Sequence, residues 1–325
     1  MNKPTIYTII ITYNRLAMLK RCLSSLFKQT YPIKKIIVVD NNSTDGTQKY
    51  LIGLSKKHKN LHPIFNNVNL GLANGVNTAL KKIWKENWHA VWISDDDNIA
   101  NNEALKNLIK FYDYKTILNS TLYDKKNKNK FAFPLIDTFS GIIYLNKNEL
   151  KRIKNGFLNG LLPFNFTLVP KYVFQKCGLL DEGFFIRGEE FDFTTRLILN
   201  NFKIKIILNS YAFCLNKRNI KKIKFLNLKI YREMIDYVKN YYFIRNTLFL
   251  LKNYQKKIFF SGKKNIIYNF YPYYKYPLFI FIPFYFLYTL ILFLIFYNKN
   301  KIKIIYSTLL AYYHFFMNKR GKYQL

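Results

Sequence analysis

Ala90-Val91-Trp92-Ile93-Ser94 runs without a break into Asp95-Asp96-Asp97. A short apolar run that ends in carboxylates reads as a buried strand delivering charge at its C-terminal end. The same design occurs twice upstream. Ile6-Tyr7-Thr8-Ile9-Ile10-Ile11-Thr12 leads into Tyr13-Asn14-Arg15, and Ile36-Ile37-Val38-Val39-Asp40 leads into Asn41-Asn42-Ser43-Thr44-Asp45-Gly46-Thr47. Helical spacing fills the gaps, with Leu16, Leu19, Leu23 and Leu26–Phe27 on one face, a second helix to roughly Ser55, and a third to about Glu86. Three strand–helix units in succession predict an α/β fold, a mainly parallel sheet sandwiched by helices. Ligands of such sheets bind beyond the carboxyl ends of the strands, and here all three ends are polar.

Further on, a loop or edge hairpin is expected around Tyr123–Lys130, and strands at 140–144 and 204–208. Glu189-Glu190-Phe191-Asp192 opens another helix, and beyond Leu226 the chain reads as helical and basic. The expected division is an α/β domain over 1–225, itself divided near residue 120, followed by a helical, basic region over 226–325.

Half of the 325 residues are apolar and 18% are aromatic, far too many for a disordered chain. Three scattered cysteines match neither a disulfide framework nor a zinc site. The formal net charge is +34, with residues 193–325 holding 24 basic side chains and 2 acidic ones. Only nine of the 52 basic residues are Arg, the usual bidentate reader of phosphate and base edges, so an anionic membrane surface or lipid carrier is the expected partner and nucleic acid is not.

Each acidic cluster has a structural and a functional reading. Asp95-Asp96-Asp97 could be a solvated turn or a helix cap. Yet adjacent carboxylates on a buried strand repel, and a divalent cation such as Mg2+ or Mn2+, shared with substrate phosphates, relieves that repulsion. In an extended chain Asp95 and Asp97 point one way and Asp96 the other. Asp40 could cap the next helix or accept a hydrogen bond from a nucleobase or ribose. The stretch from Asn69 to Gly75 contains Gly71 and Gly75, which let backbone N–H groups approach a ligand. Glu189, Glu190 and Asp192 suit a helix N-terminus, but Phe184, Phe185, Phe191 and Phe193 around them would desolvate a carboxylate and raise its pKa toward that of a general base.

Taken in order, Thr12-Tyr13-Asn14-Arg15, Val38 to Thr47, Asn69-Leu70-Gly71 and Asp95-Asp96-Asp97 resemble the family 2 nucleotide-sugar glycosyltransferases of the A-type fold. Phe184 to Arg196 is similar to that family's acceptor-side acidic motif. Tyr241-Tyr242-Phe243-Ile244-Arg245-Asn246 resembles a segment of its galactofuranosyl- and rhamnosyltransferase-like branch. The resemblance implies that Thr12, Tyr13 and Arg15 line a nucleotide pocket and that Asp40 contacts the base of a UDP- or dTDP-sugar. It places Asn69, Asn74 and Asp96 near the rest of the donor, Asp95 and Asp97 on the metal, and Glu190 as catalytic base with Asp192 as its partner. Several relatives place a metal-binding His where this chain has Cys214, a poor ligand for Mg2+ or Mn2+, which leaves water or Asn216 for that position. The implied activity is inverting transfer of a hexosyl group to a lipid-linked acceptor, the Asp triplet leaning toward galactofuranose. A non-catalytic nucleotide-sugar-binding scaffold is the alternative.

Pro277–Tyr297 is uncharged and long enough to span a bilayer. The lysines after it and Pro283 within it favour instead an interfacial or re-entrant pair of helices, the second over Ile302–Met317, on the cytoplasmic face of the membrane. Packing of these helices on the catalytic domain, or in a homo-oligomer, is the other outcome.

Overall fold

The structure, a computed structural model, describes residues 3–160, 164–215, 220–225, 228–233, 236–270, 280, 282–284, 286–287 and 301–323. Strands β1 (Ile6–Thr12), β2 (Ile33–Asp40), β3 (Leu61–Phe65) and β4 (Ala90–Asp95) lie in the order β3-β2-β1-β4, all parallel. Helices α1 (Leu16–Phe27), α2 (Thr47–Lys57) and α3 (Gly71–Ile83) connect them. β1 shows why the sheet is a sandwich. Ile6 and Ile10 pack with Leu19, Leu23 and Leu51 on one face, while Tyr7, Ile9 and Ile11 pack with Val76, Ala79 and Leu80 on the other. Each fully buried isoleucine contributes about 1.5–3 kcal/mol to holding those faces together.

β3 is unannounced in the sequence because Leu61-His62-Pro63-Ile64-Phe65 neither alternates nor runs apolar. It sits at the sheet edge, the place where a proline's missing N–H is tolerated. Beyond β4 the sheet becomes mixed. β5 is Asn98–Ala100, α4 Ala104–Ile109, β6 Thr116–Asp124, β7 Lys130–Ile136, β8 Ile143–Asn146, β9 Phe157–Asn159 and β10 Thr167–Pro170. They are followed by α5 (Lys171–Cys177), α6 (Glu189–Leu199) and β11 (Lys203–Cys214). β10 inserts antiparallel between β4 and β6, and β6 pairs parallel with β11. The mainly parallel expectation therefore holds for the first half, and a four-residue strand too short to read from periodicity reverses direction in the second.

The reading of helix beyond Leu226 needs correction at its start. Ile220–Phe225 (β12) and Leu228–Glu233 (β13) form an antiparallel hairpin. Ile-Lys-Lys-Ile-Lys-Phe and Leu-Lys-Ile-Tyr carry alternating, β-branched strand patterning that the lysine content obscures. Helices α7 (Tyr237–Phe260), α8 (Lys264–Phe270) and α9 (Lys301–Phe316) follow. α9 lies on α7, burying Ala311, Tyr312 and Phe315 in the same core that holds Ile9, Val76 and Phe193. Its opposite side exposes Ile302, Tyr306, Leu309, Tyr313 and Phe316. Most of Pro277–Tyr297 lies outside the described residues, and among those described no helix is long and apolar enough to cross a membrane.

Candidate active site

The ends of β1, β2 and β4 converge through side-chain hydrogen bonds. Asp96 is buried at the turn after β4 and accepts from the Thr12 hydroxyl at 2.6 Å and from Arg15 Nη1 at 2.9 Å. The same Arg15 nitrogen reaches Asp97 Oδ2 at 3.3 Å. Burial pushes Asp96 up to about 6 even so, with Arg15 and Thr12 pulling the other way. Asp95 is half-buried and pushed well up, first by burial and then by the charges of Asp97 and Asp96. Thr12, Arg15 and the Asp triplet thus form one unit, with Tyr13 standing exposed beside it.

The neighbouring turns are set by asparagine and aspartate. Asn14 and Asn42 adopt left-handed φ values of 51° and 67°, directly after β1 and β2. Asp45 accepts from the Leu16 N–H at 2.8 Å and from Thr47 Oγ1 at 2.6 Å, tying the first turns of α1 and α2 together. Asp40 is wholly buried, and its Oδ2 accepts from the Ser43 N–H (3.1 Å) and Gln48 Nε2 (3.0 Å). It thus ties down the turn between β2 and α2 without capping the helix, whose N-cap position is Gly46. Asn69 Oδ1 accepts from the Gly71 N–H at 3.0 Å, and Asn74 Nδ2 donates to the carbonyls of Leu70 and Glu182 at 3.3 and 3.1 Å. Both asparagines shape the start of α3. Gly71 has a φ of 80°, and a Cβ there would lie 2.0 Å from the Phe185 carbonyl oxygen, so only glycine lets α3 approach the turn before α6 so closely.

That turn brings in the second acidic group. Glu190 heads α6, and its Oε2 accepts from the Gly188 N–H at 3.1 Å. Glu189 is buried beside it, with Oε2 lacking a hydrogen-bond partner. Burial raises both carboxyls, and for Glu189 the Glu190 and Asp95 charges add to it. Asp95 is raised in turn by Glu190, so the two clusters lie within electrostatic reach of each other. Asp192 is not brought to this meeting point. Its Oδ2 accepts from Arg196 Nε and Nη2 at 2.9 and 2.6 Å, and its Oδ1 from the Tyr254 hydroxyl at 2.5 Å. Two residues past Glu190 on a helix, it faces the other way and fastens α6 to α7.

Among the described residues no group of three His, Cys, Asp or Glu could hold a metal ion. The donor set nevertheless fits a divalent cation shared with a diphosphate, for which one or two protein carboxylates suffice. Asp95 carries repulsion from Asp97 and Asp96 that Arg15 offsets only in part and that a cation would relieve, and Arg15 already places positive charge against Asp97. Cys214 stands close by, since it pairs with Asn98 across β11 and β5 and the next N–H, of Leu215, donates to the Asp97 carbonyl at 2.9 Å. Asn216 lies outside the described residues. The histidines serve packing: His58 stacks on Phe27, His89 Nδ1 accepts from the Thr5 N–H, and His314 bonds the Tyr241 hydroxyl.

Sequence reading missed Glu189 as a distinct group, and it missed Tyr254, which lies 62 residues from Asp192 with no local signal to link them.

The model of "Glycosyl transferase family 2" matches residues 7–178. An uncharacterized glycosyltransferase of Haemophilus influenzae is 37% identical over 79 residues, a stretch spanning 24% of each chain. The dTDP-rhamnosyl transferase RfbF of Shigella flexneri is 24% identical over 76% of this chain and 80% of its own. The fold matches that of the mannosyltransferase PcManGT from Pyrobaculum calidifontis, solved with GDP-Man and Mn2+, at 14% identity and a TM-score of 0.56, over 98% of this chain and 89% of that one. With strand-end carboxylates on an A-type sheet and a family model covering more than half its length, this chain belongs to glycosyl transferase family 2.

Proposed function

We propose that the protein is an inverting, metal-dependent glycosyltransferase, moving a hexosyl residue from a UDP- or dTDP-sugar to a hydroxyl of a lipid-linked or cell-surface glycan. The observation that carries this reading is the gathering of Thr12, Arg15 and the Asp triplet at the ends of β1 and β4, with the start of α3 packed through Gly71 against the turn that leads to Glu189 and Glu190. Mn2+ in the PcManGT complex and the dTDP-rhamnosyl activity named for RfbF support the donor class.

Asp95 and Asp97 would hold Mn2+ or Mg2+, which when bound offsets charge on the departing nucleoside diphosphate. Asp96 does not need to touch the donor. It is the post that holds Thr12 and Arg15, and Arg15 stands half-exposed where a diphosphate would approach. Glu190 takes the proton of the acceptor hydroxyl as that oxygen attacks the anomeric carbon opposite the leaving group, giving one displacement with inversion. Its burial raises its proton affinity, while the Gly188 N–H, the Arg187 charge and a hydrogen bond with Glu189 pull the other way and keep an ionised fraction available. Galactofuranose as the sugar rests only on the branch resemblance.

The acceptor's lipid has a fitting surface. The exposed stripe of α9 repeats at helical spacing and is flanked by Lys303, Lys319 and Lys322, a match for an anionic bilayer. A thermal-shift screen of UDP- and dTDP-sugars with and without Mn2+ tests the donor reading: stabilisation by at least one sugar nucleotide, larger with Mn2+, is expected, and none across the panel contradicts it.

A further inference from the structure

The turn that presents Glu190 is gripped from behind by parts of the chain distant in sequence. It enters α6 through Arg187 and Gly188, consecutive residues with φ of 60° and 112°. A left-handed arginine persists only where its surroundings hold it. Asn246 of α7 supplies the hold. Its Nδ2 donates to the carbonyls of Ile186 at 3.1 Å and Arg187 at 2.5 Å. Its Oδ1 accepts from Arg245 Nε and Nη2 at 3.1 and 3.0 Å, which fixes the amide the right way round.

Arg245 is itself buried and reaches further. Its Nη1 donates to the Tyr241 hydroxyl at 3.1 Å and to the Gly321 carbonyl at 2.9 Å. The segment after α9 thereby comes back onto the same turn. The Gly321 N–H donates to the Gly183 carbonyl at 2.9 Å, Arg320 pairs with Asp181 at 2.7 Å, and the Tyr323 N–H donates to the Tyr242 hydroxyl at 2.7 Å.

One peptide unit joins this scaffold to the carboxylate. The carbonyl of Arg187 and the N–H of Gly188 belong to a single planar peptide. Asn246 holds its oxygen and Glu190 Oε2 holds its hydrogen. Tilting that plane moves the Glu190 carboxylate, and donation into the carbonyl strengthens the N–H as a donor.

The geometry points to Arg245, Asn246 and the returning segment 320–321 as a positioning clamp for Glu190, so that residues over 50 positions downstream set the orientation of the acid at the head of α6. These residues touch no reacting atom. The inference rests on Glu190 being the base of the proposed reaction.

Asn246→Asp tests it, because the variant keeps an acceptor for Arg245 but turns an oxygen toward the two carbonyls. Hydrogen–deuterium exchange over residues 183–190 should accelerate about 10-fold or more in the full chain. Release of nucleoside diphosphate from a UDP- or dTDP-sugar with Mn2+ should fall about 10- to 100-fold in kcat, as for a misplaced base. Affinity for UDP or dTDP with Mn2+ should stay within about twofold, since no donor contact is touched. The acid limb of the kcat profile should move to higher pH, the other charges facing Glu190 (Glu189, Arg187 and Asp95) being unchanged. Arg320→Ala, at a half-exposed position, guards against a folding artefact and should show the same pattern more weakly. Unchanged exchange overturns the clamp. Faster exchange with unchanged kcat overturns its link to turnover. A wild-type protein that binds donor yet shows no turnover with any acceptor preparation removes the base itself, while exchange still reports whether the clamp exists.

Discussion

The two acidic clusters look alike in sequence and are built alike in space, yet each divides its carboxylates between two jobs. In the β4 cluster Asp96 is spent on Thr12 and Arg15, while Asp95, only partly offset by Arg15, keeps an elevated proton affinity. In the α6 cluster Asp192 is spent on Arg196 and Tyr254, while Glu189 and Glu190 are left raised. Asp96 and Asp97 pair with Arg15, and Asp192 with Arg196, fixing the backbone; Asp95, Glu189 and Glu190 are held in a state that costs stability without a ligand. A buried charge is tolerated in a fold when a partner arrives later to offset it.

Exchanging the roles should break the comparison most visibly. Asp95→Asn should lower transfer by about 10³-fold or more, the scale of losing a main electrostatic contact to the leaving group. The same change should leave the ligand-free fold no less stable, because it removes a repelled charge. Asp192→Ala should do the reverse to stability, costing about 3 kcal/mol by removing the buried partner of the half-buried Arg196 guanidinium and of the Tyr254 hydroxyl, as read by urea unfolding. A mild Asp192→Ala and a strongly destabilising Asp95→Asn would together dissolve the distinction.

Acid titration sharpens it. The folded pKa of Glu189 lies above its unfolded value, so its contribution is fully present below the unfolded pKa and is lost as pH rises through the folded one. Glu189→Gln should therefore match the wild type near pH 4 and become the more stable of the two as pH rises toward 8, by thermal unfolding in the absence of metal. A constant difference across that range would contradict the burial argument. The smallest effect is expected at Thr12→Val, about 1–2 kcal/mol from the loss of a hydroxyl bonded to a buried carboxylate.

The division of labour was only partly legible in the sequence. β1, β2 and β4 announce themselves through apolar runs, and their polar ends give the location of the site directly. The Arg196–Asp192 pair follows from i,i+4 spacing on a helix. Asp192's commitment to Tyr254 does not, because α7 reaches it across 62 residues, so from sequence alone Asp192 remained a candidate beside Glu190. The return of Arg320 and Gly321 to the α6 turn was equally hidden: the basic, apolar composition of 277–322 points to a membrane, and it takes the packing of α9 on α7 to show that one face is already taken.

Glu190→Gln is the most direct test of the account. The variant retains a side chain of the same size at the head of α6 but cannot accept a proton. Calorimetric titration with the donor and Mn2+, run beside a turnover assay, should give an unchanged donor affinity and a kcat lower by about 10²–10⁴-fold. Turnover close to that of the wild type would contradict the assignment of Glu190 as the base.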